Sequence, residues 1–141
     1  MQMQKGKKAV TIETLEKYRG VAQNVEAINA EIDALYAPIR SPNGRAALAY
    51  SGTPSDPTAR AVQHIMELQQ DLAVELKRQV DLLDEISAWI AKISEEEPEL
   101  VAIIRMHYNA GVSWRKTNRR LYGYDSYHTA RKKVFRYFDK S

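Results

Sequence analysis

The stretch PELVAIIRMHYNAGVSWRKTNRRLYGYDSYHTARKKVFRYFDKS, residues 98–141, decides the fold. Leu100, Val101, Ile103, Ile104 and Tyr108 give an apolar side to an amphipathic helix over 98–109. Ala110-Gly111 breaks it, because glycine readily takes the left-handed conformation that a helix end needs. Ser113 then caps a second helix over 114–121, and Tyr122-Gly123-Tyr124-Asp125 makes the next turn. A third helix follows from about 126 to 138. Its Tyr127, Ala130, Val134, Tyr137 and Phe138 form one face, while Ser126, His128, Thr129, Arg131, Lys132, Lys133 and Arg136 form the other. Two short helices, a glycine-containing turn and a basic last helix describe a helix-turn-helix.

Charge sets this stretch apart from the rest. Residues 105–141 hold ten of the 21 Lys and Arg but only two acids, Asp125 and Asp139, for a net charge of +8. Residues 1–104 carry −5, so the overall +3 conceals two opposite halves. Clustered basic charge interleaved with aromatics is the footprint of a nucleic-acid surface. With the last helix in the major groove, Ser126, His128 and Thr129 are the short polar residues placed for base edges, with Arg131 and Lys132 one turn on. Arg115, Lys116, Arg119 and Arg120, with Lys133 and Arg136, are expected along phosphates, where they set orientation.

Upstream, the sequence reads as two long helices. Over about 8–37, Leu15, Tyr18, Ala22, Val25, Asn29, Ile32 and Tyr36 recur at steps of three and four, the a/d seam of a coiled coil about 45 Å long. Asn29 interrupts that seam, either as a register-fixing amide or as a solvated position. Four of the five prolines then fall within 38–57, so no regular helix is expected there. The apolar run Ala46-Ala47-Leu48-Ala49-Tyr50 suits packing back onto a helix. Pro57 opens a second helix over about 58–94, with Asp56 or Thr58 as its cap. Ile65, Leu68, Leu72, Leu76, Gln79, Leu83, Ile86, Ile90 and Ile93 form its stripe, and the step from Leu72 to Leu76 reads as a stutter. Glu95-Glu96-Glu97 then favour the positive end of the next helix. An antiparallel hairpin over 1–97 followed by a helix-turn-helix module over 98–141 is the all-α fold expected. Pairing of two hairpins in a dimer would bury more of the two stripes.

Composition narrows the function classes. There is no cysteine, hence no disulfide, thiolate zinc site or cysteine nucleophile, which suits a reducing compartment. No run of eighteen apolar residues is present, and MQMQKGKK leads into no hydrophobic signal core, so a cytoplasmic protein away from membranes is expected. His64, His107 and His128 are too scattered for a metal site. Glycine-rich phosphate loops, nucleophile elbows and carboxylate pairs are missing from the sequence; it is read as a non-enzyme without cofactor or metal. Trp114 is expected as a core anchor beneath the motif, not as a platform for bases.

From Tyr18-Arg19 to its end the sequence resembles the phage-encoded, sigma-70 region-4-like transcriptional regulators, the ArpU-like late-gene activators. The resemblance is carried by Ser51-Gly52-Thr53-Pro54, the long helical middle, and Glu99-Leu100, Arg105-Met106-His107-Tyr108 and Gly111-Val112-Ser113-Trp114. It implies duplex DNA binding near phage promoters in a bacterial host cytoplasm, and contact with RNA polymerase. Where that family has acidic residues and an Ile-Ala pair after Ser-Trp, this chain has Arg115-Lys116-Thr117-Asn118. The expectation is therefore a sequence-specific transcriptional regulator, dimeric through the long helices. A small terminase-like packaging subunit and a helical interaction protein without DNA binding are the alternatives.

Overall fold

The computed structural model describes residues 10–40, 57–126 and 128–140. Every element is helical: α1 (Ile12–Arg40), α2 (Pro57–Ile93), α3 (Pro98–Ile104), α4 (Trp114–Tyr122) and α5 (Thr129–Lys140), with a π-helical turn at Arg105–Asn109. The first two helices form a long antiparallel hairpin and the other three follow it. The expected loop run Ala46–Tyr50, the Ser51–Pro54 stretch, the Asp56 cap and Tyr127 lie outside the described residues.

Helix α1 extends past the expected boundary and carries Pro38 in its last turn. The missing N–H and the ring act on the turn before Pro38, and the helix ends two residues later. Helix α2 opens on Pro57, as read. The Thr58 hydroxyl is buried without a hydrogen-bond partner, so it caps nothing.

The chain divides into two compact units, one made from Val21–Arg78 and the other from Met1–Gly20 with Gln79–Ser141. In the first, Ile28, Ile32, Ile65 and Leu68 form the core, with Leu35, Tyr36, Ile39 and Leu72 packed against it. Glu31 faces His64 across the two helices at 3.8 Å. The buried stripe of α1 corrects the expected seam. Val21 and Ile28 point inward, whereas Ala22 is half-buried and Asn29 is exposed. Both sets fit steps of three and four; the larger apolar side chains win the interior because they remove more area from water.

The stutter expected in α2 is absent as well. Leu76 is 41% exposed, while the side chain of Glu75 is only 18% exposed. The inward stripe therefore runs Leu68, Leu72, Glu75 at regular coiled-coil spacing, with a carboxylate where the pattern calls for an apolar residue. Replacing Glu75 by Leu is expected to raise unfolding stability by about 1 kcal/mol, the yield of a partly buried aliphatic side chain. Urea unfolding of the full chain measures it, and an unchanged midpoint would show that Glu75 does not face the seam.

The second unit joins the base of the hairpin to the short helices. Val10, Leu15 and Tyr18 from the start of the chain and Ile86 and Ile90 of α2 are buried in the same unit as Leu100, Val101, Ile103, Ile104, Tyr108, Ala130 and Val134. Gln79 donates to the Tyr18 hydroxyl at 3.4 Å. Trp89 of α2 stacks on Phe138 of α5 with ring centres 5.6 Å apart and meets Tyr137 edge-on at 6.2 Å. Arg19 Nε of α1 donates to the His107 carbonyl at 3.2 Å.

The helix expected over 98–109 is α-helical only to Ile104. Its last turn widens, with the Ala110 N–H bonded to the Arg105 carbonyl and the Val112 N–H to that of Met106, both at 2.9 Å. Gly111 at φ 77 follows, so the break read at Ala110-Gly111 is where it was placed. The widened turn brings two consecutive rings inside, His107 at 5% and Tyr108 at 2% exposure.

Candidate nucleic-acid interface

Ser113 caps α4 as expected, its hydroxyl accepting the Lys116 N–H at 3.2 Å. Gly123 ends the helix in the left-handed region, φ 85, and donates its N–H to the Arg119 carbonyl at 2.8 Å. A side chain at that φ would be strained, which is why glycine stands there.

Beyond the turn, helix α5 begins at Thr129, three residues later than read. Ser126 and His128 therefore belong to the turn and not to the helix. The Ser126 hydroxyl is spent on the His128 N–H at 3.0 Å, and the His128 carbonyl accepts the Lys132 N–H at 2.8 Å. Thr129 meets the Tyr124 hydroxyl at 2.8 Å.

Asn118 supplies what the local sequence does not. Fully buried, it accepts the Ala130 N–H with Oδ1 at 3.1 Å and donates Nδ2 to the Tyr124 carbonyl at 3.0 Å. One amide from α4 thus satisfies an unpaired donor in the first turn of α5 and pins the turn between them. Sequence reading missed this role. The signal was present: Trp114, Thr117, Asn118 and Leu121 share one helical face, and a polar residue on a buried face needs partners. The neighbouring Thr117 hydroxyl is also buried, but without a partner.

Trp114 is half-buried and stacks on His107 with ring centres 3.6 Å apart, the anchoring role expected of it. His107 Nδ1 lies 2.7 Å from the Val112 carbonyl, a contact that requires Nδ1 to carry the proton. Burial pushes its pKa down to about 4; the Val112 bond opposes this and the Arg19 charge adds to it. Burial likewise pushes the Tyr108 hydroxyl up to about 12.

Outside this framework, Arg115, Lys116, Arg119 and Arg120 on α4 and Arg131, Lys132, Lys133 and Arg136 on α5 are all exposed. Three of them meet acids. Arg119 donates Nε and Nη2 to Asp125 Oδ1 at 2.9 and 2.7 Å, and Arg115 Nη2 lies 3.6 Å from Oδ2. Lys133 sits 3.0 Å from Glu99 of α3, whose other oxygen accepts the Tyr122 hydroxyl. Those bonds, Tyr122 first and then Lys133, hold the Glu99 carboxyl below its ordinary pKa, while burial followed by the Glu99 bond raises that of Tyr122. Arg131 lies over the Phe135 ring at 4.6 Å, a cation–π contact within α5.

Among the described residues, no three His, Asp or Glu side chains come together as a metal cluster, and no helix is long and apolar enough to cross a membrane. No family model, curated protein or solved structure matches the chain.

Proposed function

We propose that the chain is a sequence-specific duplex DNA-binding regulator of transcription, of phage or prophage type, acting in the cytoplasm of a bacterial host. One observation carries the reading. Two helices joined by a glycine turn and locked by a buried amide present eight exposed Lys and Arg on their outer sides. A rigid helix pair with that charge suits a duplex: α5 enters the major groove and α4 runs along phosphates. With the helix starting at Thr129, base edges fall to His128, Thr129, Arg131 and Lys132, while Ser126 supports the turn. The resemblance to phage late-gene activators agrees with this assignment and adds RNA polymerase as a partner. Val62, Met66 and Leu76 of α2, exposed at 45%, 58% and 41%, supply an apolar strip for a homodimer through the hairpin.

Selection from a random duplex library at about 150 mM salt, which suppresses much nonspecific binding, tests the proposal. Wild type is expected to enrich a motif, and the variant with Arg131→Ala and Lys132→Ala to lose it while keeping its helical circular dichroism. Duplexes recovered without a motif would point to a packaging-type binder. Recovery of nothing would sink the DNA reading and leave an interaction protein.

A further inference from the structure

We propose that Asp125 is a built-in competitor of DNA phosphate, holding Arg115 and Arg119 off the duplex until a bound backbone displaces it. The proposal rests on the DNA-binding reading above.

Arg115 and Arg119 lie one helical turn apart on α4, so their guanidinium groups open onto the same space. The Asp125 carboxylate occupies that space, taking both the Nε and Nη2 hydrogens of Arg119 on one oxygen and facing Arg115 with the other. The three side chains stay open to water, at 57%, 65% and 47% exposure for Arg119, Arg115 and Asp125. Arginine donors arranged around one oxyanion in this way suit a phosphate equally well. Asp125 comes from the turn that Gly123 starts, and Asn118 pins the preceding residue, so the carboxylate is delivered by the fixed part of the fold.

An aspartate beside an arginine can instead brace it for reading a base. The geometry argues against that here. Arg119 spends its Nε edge on Asp125, and it stands on the helix placed along phosphates, away from base edges. A brace also needs one arginine, whereas Asp125 engages two.

The consequence falls on affinity for random duplex. Loose contacts with any duplex must first break the Asp125 contacts, while a correctly docked site places a phosphate at the pair and takes it over. Part of the attraction to any duplex is thereby offset, so less of the protein is held on random sequence at a given salt concentration.

The test is Asp125→Asn in the full chain, titrated against a random-sequence duplex between 50 and 200 mM salt. Asp139→Asn serves as a control for the same change in charge elsewhere on the basic segment. Asp125→Asn is expected to bind about tenfold more tightly, with a salt slope steeper by about one to two, the effect of freeing one or two cations. Asp139→Asn is expected to gain less on both measures. Equal gains in the two variants would overturn the proposal by reducing it to bulk charge. Weaker binding by Asp125→Asn, with its melting temperature unchanged, would overturn it in favour of a brace. If wild type binds and Asp125→Asn binds no more tightly, only the competitor role falls. If neither binds at 50 mM salt, the DNA reading falls with it.

Discussion

Asn118→Leu is expected to lower unfolding stability by about 3 kcal/mol, although leucine has the same heavy-atom skeleton, branched at the same carbon, and suits a buried site. The loss comes from the groups left behind. The Ala130 N–H and the Tyr124 carbonyl lose the amide that satisfies them, and each abandoned buried group costs about 1–3 kcal/mol, less where water can reach it. Because the same amide pins the turn and the start of α5, duplex affinity should fall even under conditions where the variant stays folded. Urea unfolding followed by a duplex titration measures both. A variant within about 0.5 kcal/mol of wild type, the range of ordinary surface substitutions, would show that packing alone positions α5.

The second large effect is on acid stability. The His107 pKa falls from 6.5 to about 4 on folding, so the folded state keeps the ring neutral where the unfolded chain would protonate it. Between those two values the unfolded state binds more protons, and stability therefore drops as the pH is lowered. The contribution is fully present above about pH 6.5 and is lost as the pH falls toward 4, about 3 kcal/mol in all. Glu99 and Asp125, whose pKa values are lowered by Tyr122 and Lys133 and by Arg119 respectively, act in the same direction but from their own ordinary values of 4.5 and 3.8 downward. The window from pH 6.5 to about 5.5, a unit above the higher of these two values, thus isolates the histidine from these two carboxylates. Replacing His107 with Phe, which keeps a ring against Trp114 but cannot titrate, should flatten the dependence in that window while lowering stability at pH 7. A wild-type slope that survives in the variant would place its origin elsewhere.

What could be read from the sequence follows how local each determinant is. The Ser113 cap, the Gly123 turn and the break at Gly111 were legible because each answers a conformational demand within three or four residues. The long helices were legible from periodicity, but their inward faces were not fully so. Ala22 and Asn29 fit the spacing as well as Val21 and Ile28, and Leu76 looked like a better seam residue than Glu75. In α1 the larger apolar side chains took the interior, and in α2 the regular repeat imposed by the partner helix decided the matter, which one helix read alone cannot reveal. The start of α5 was hidden because its donor is satisfied by an amide twelve residues back. The π-helical turn left no mark that separates RMHYN from continuous helix. At the candidate interface, the basic residues announced themselves through charge. Pairing of Arg115 and Arg119 with Asp125 depends on how the turn folds back, and spacing alone does not express that.

The way the two units share the chain bears on how its length can change. The unit that holds the basic helices is assembled from both ends of the sequence, and Val21–Arg78 forms a separate compact body inserted between them. The inserted body repeats along its length, with Val21, Val25, Ile28, Ile32 and Leu35 falling on a seven-residue repeat on one helix and Ile65, Leu68, Leu72 and Glu75 on the other. Seven residues gained or lost on one helix, matched by seven on the other, would leave every inward position facing inward. The inserted body can therefore change length in paired heptads without disturbing its core, a freedom that the short helices from Pro98 onward, each with its own caps and turns, do not share.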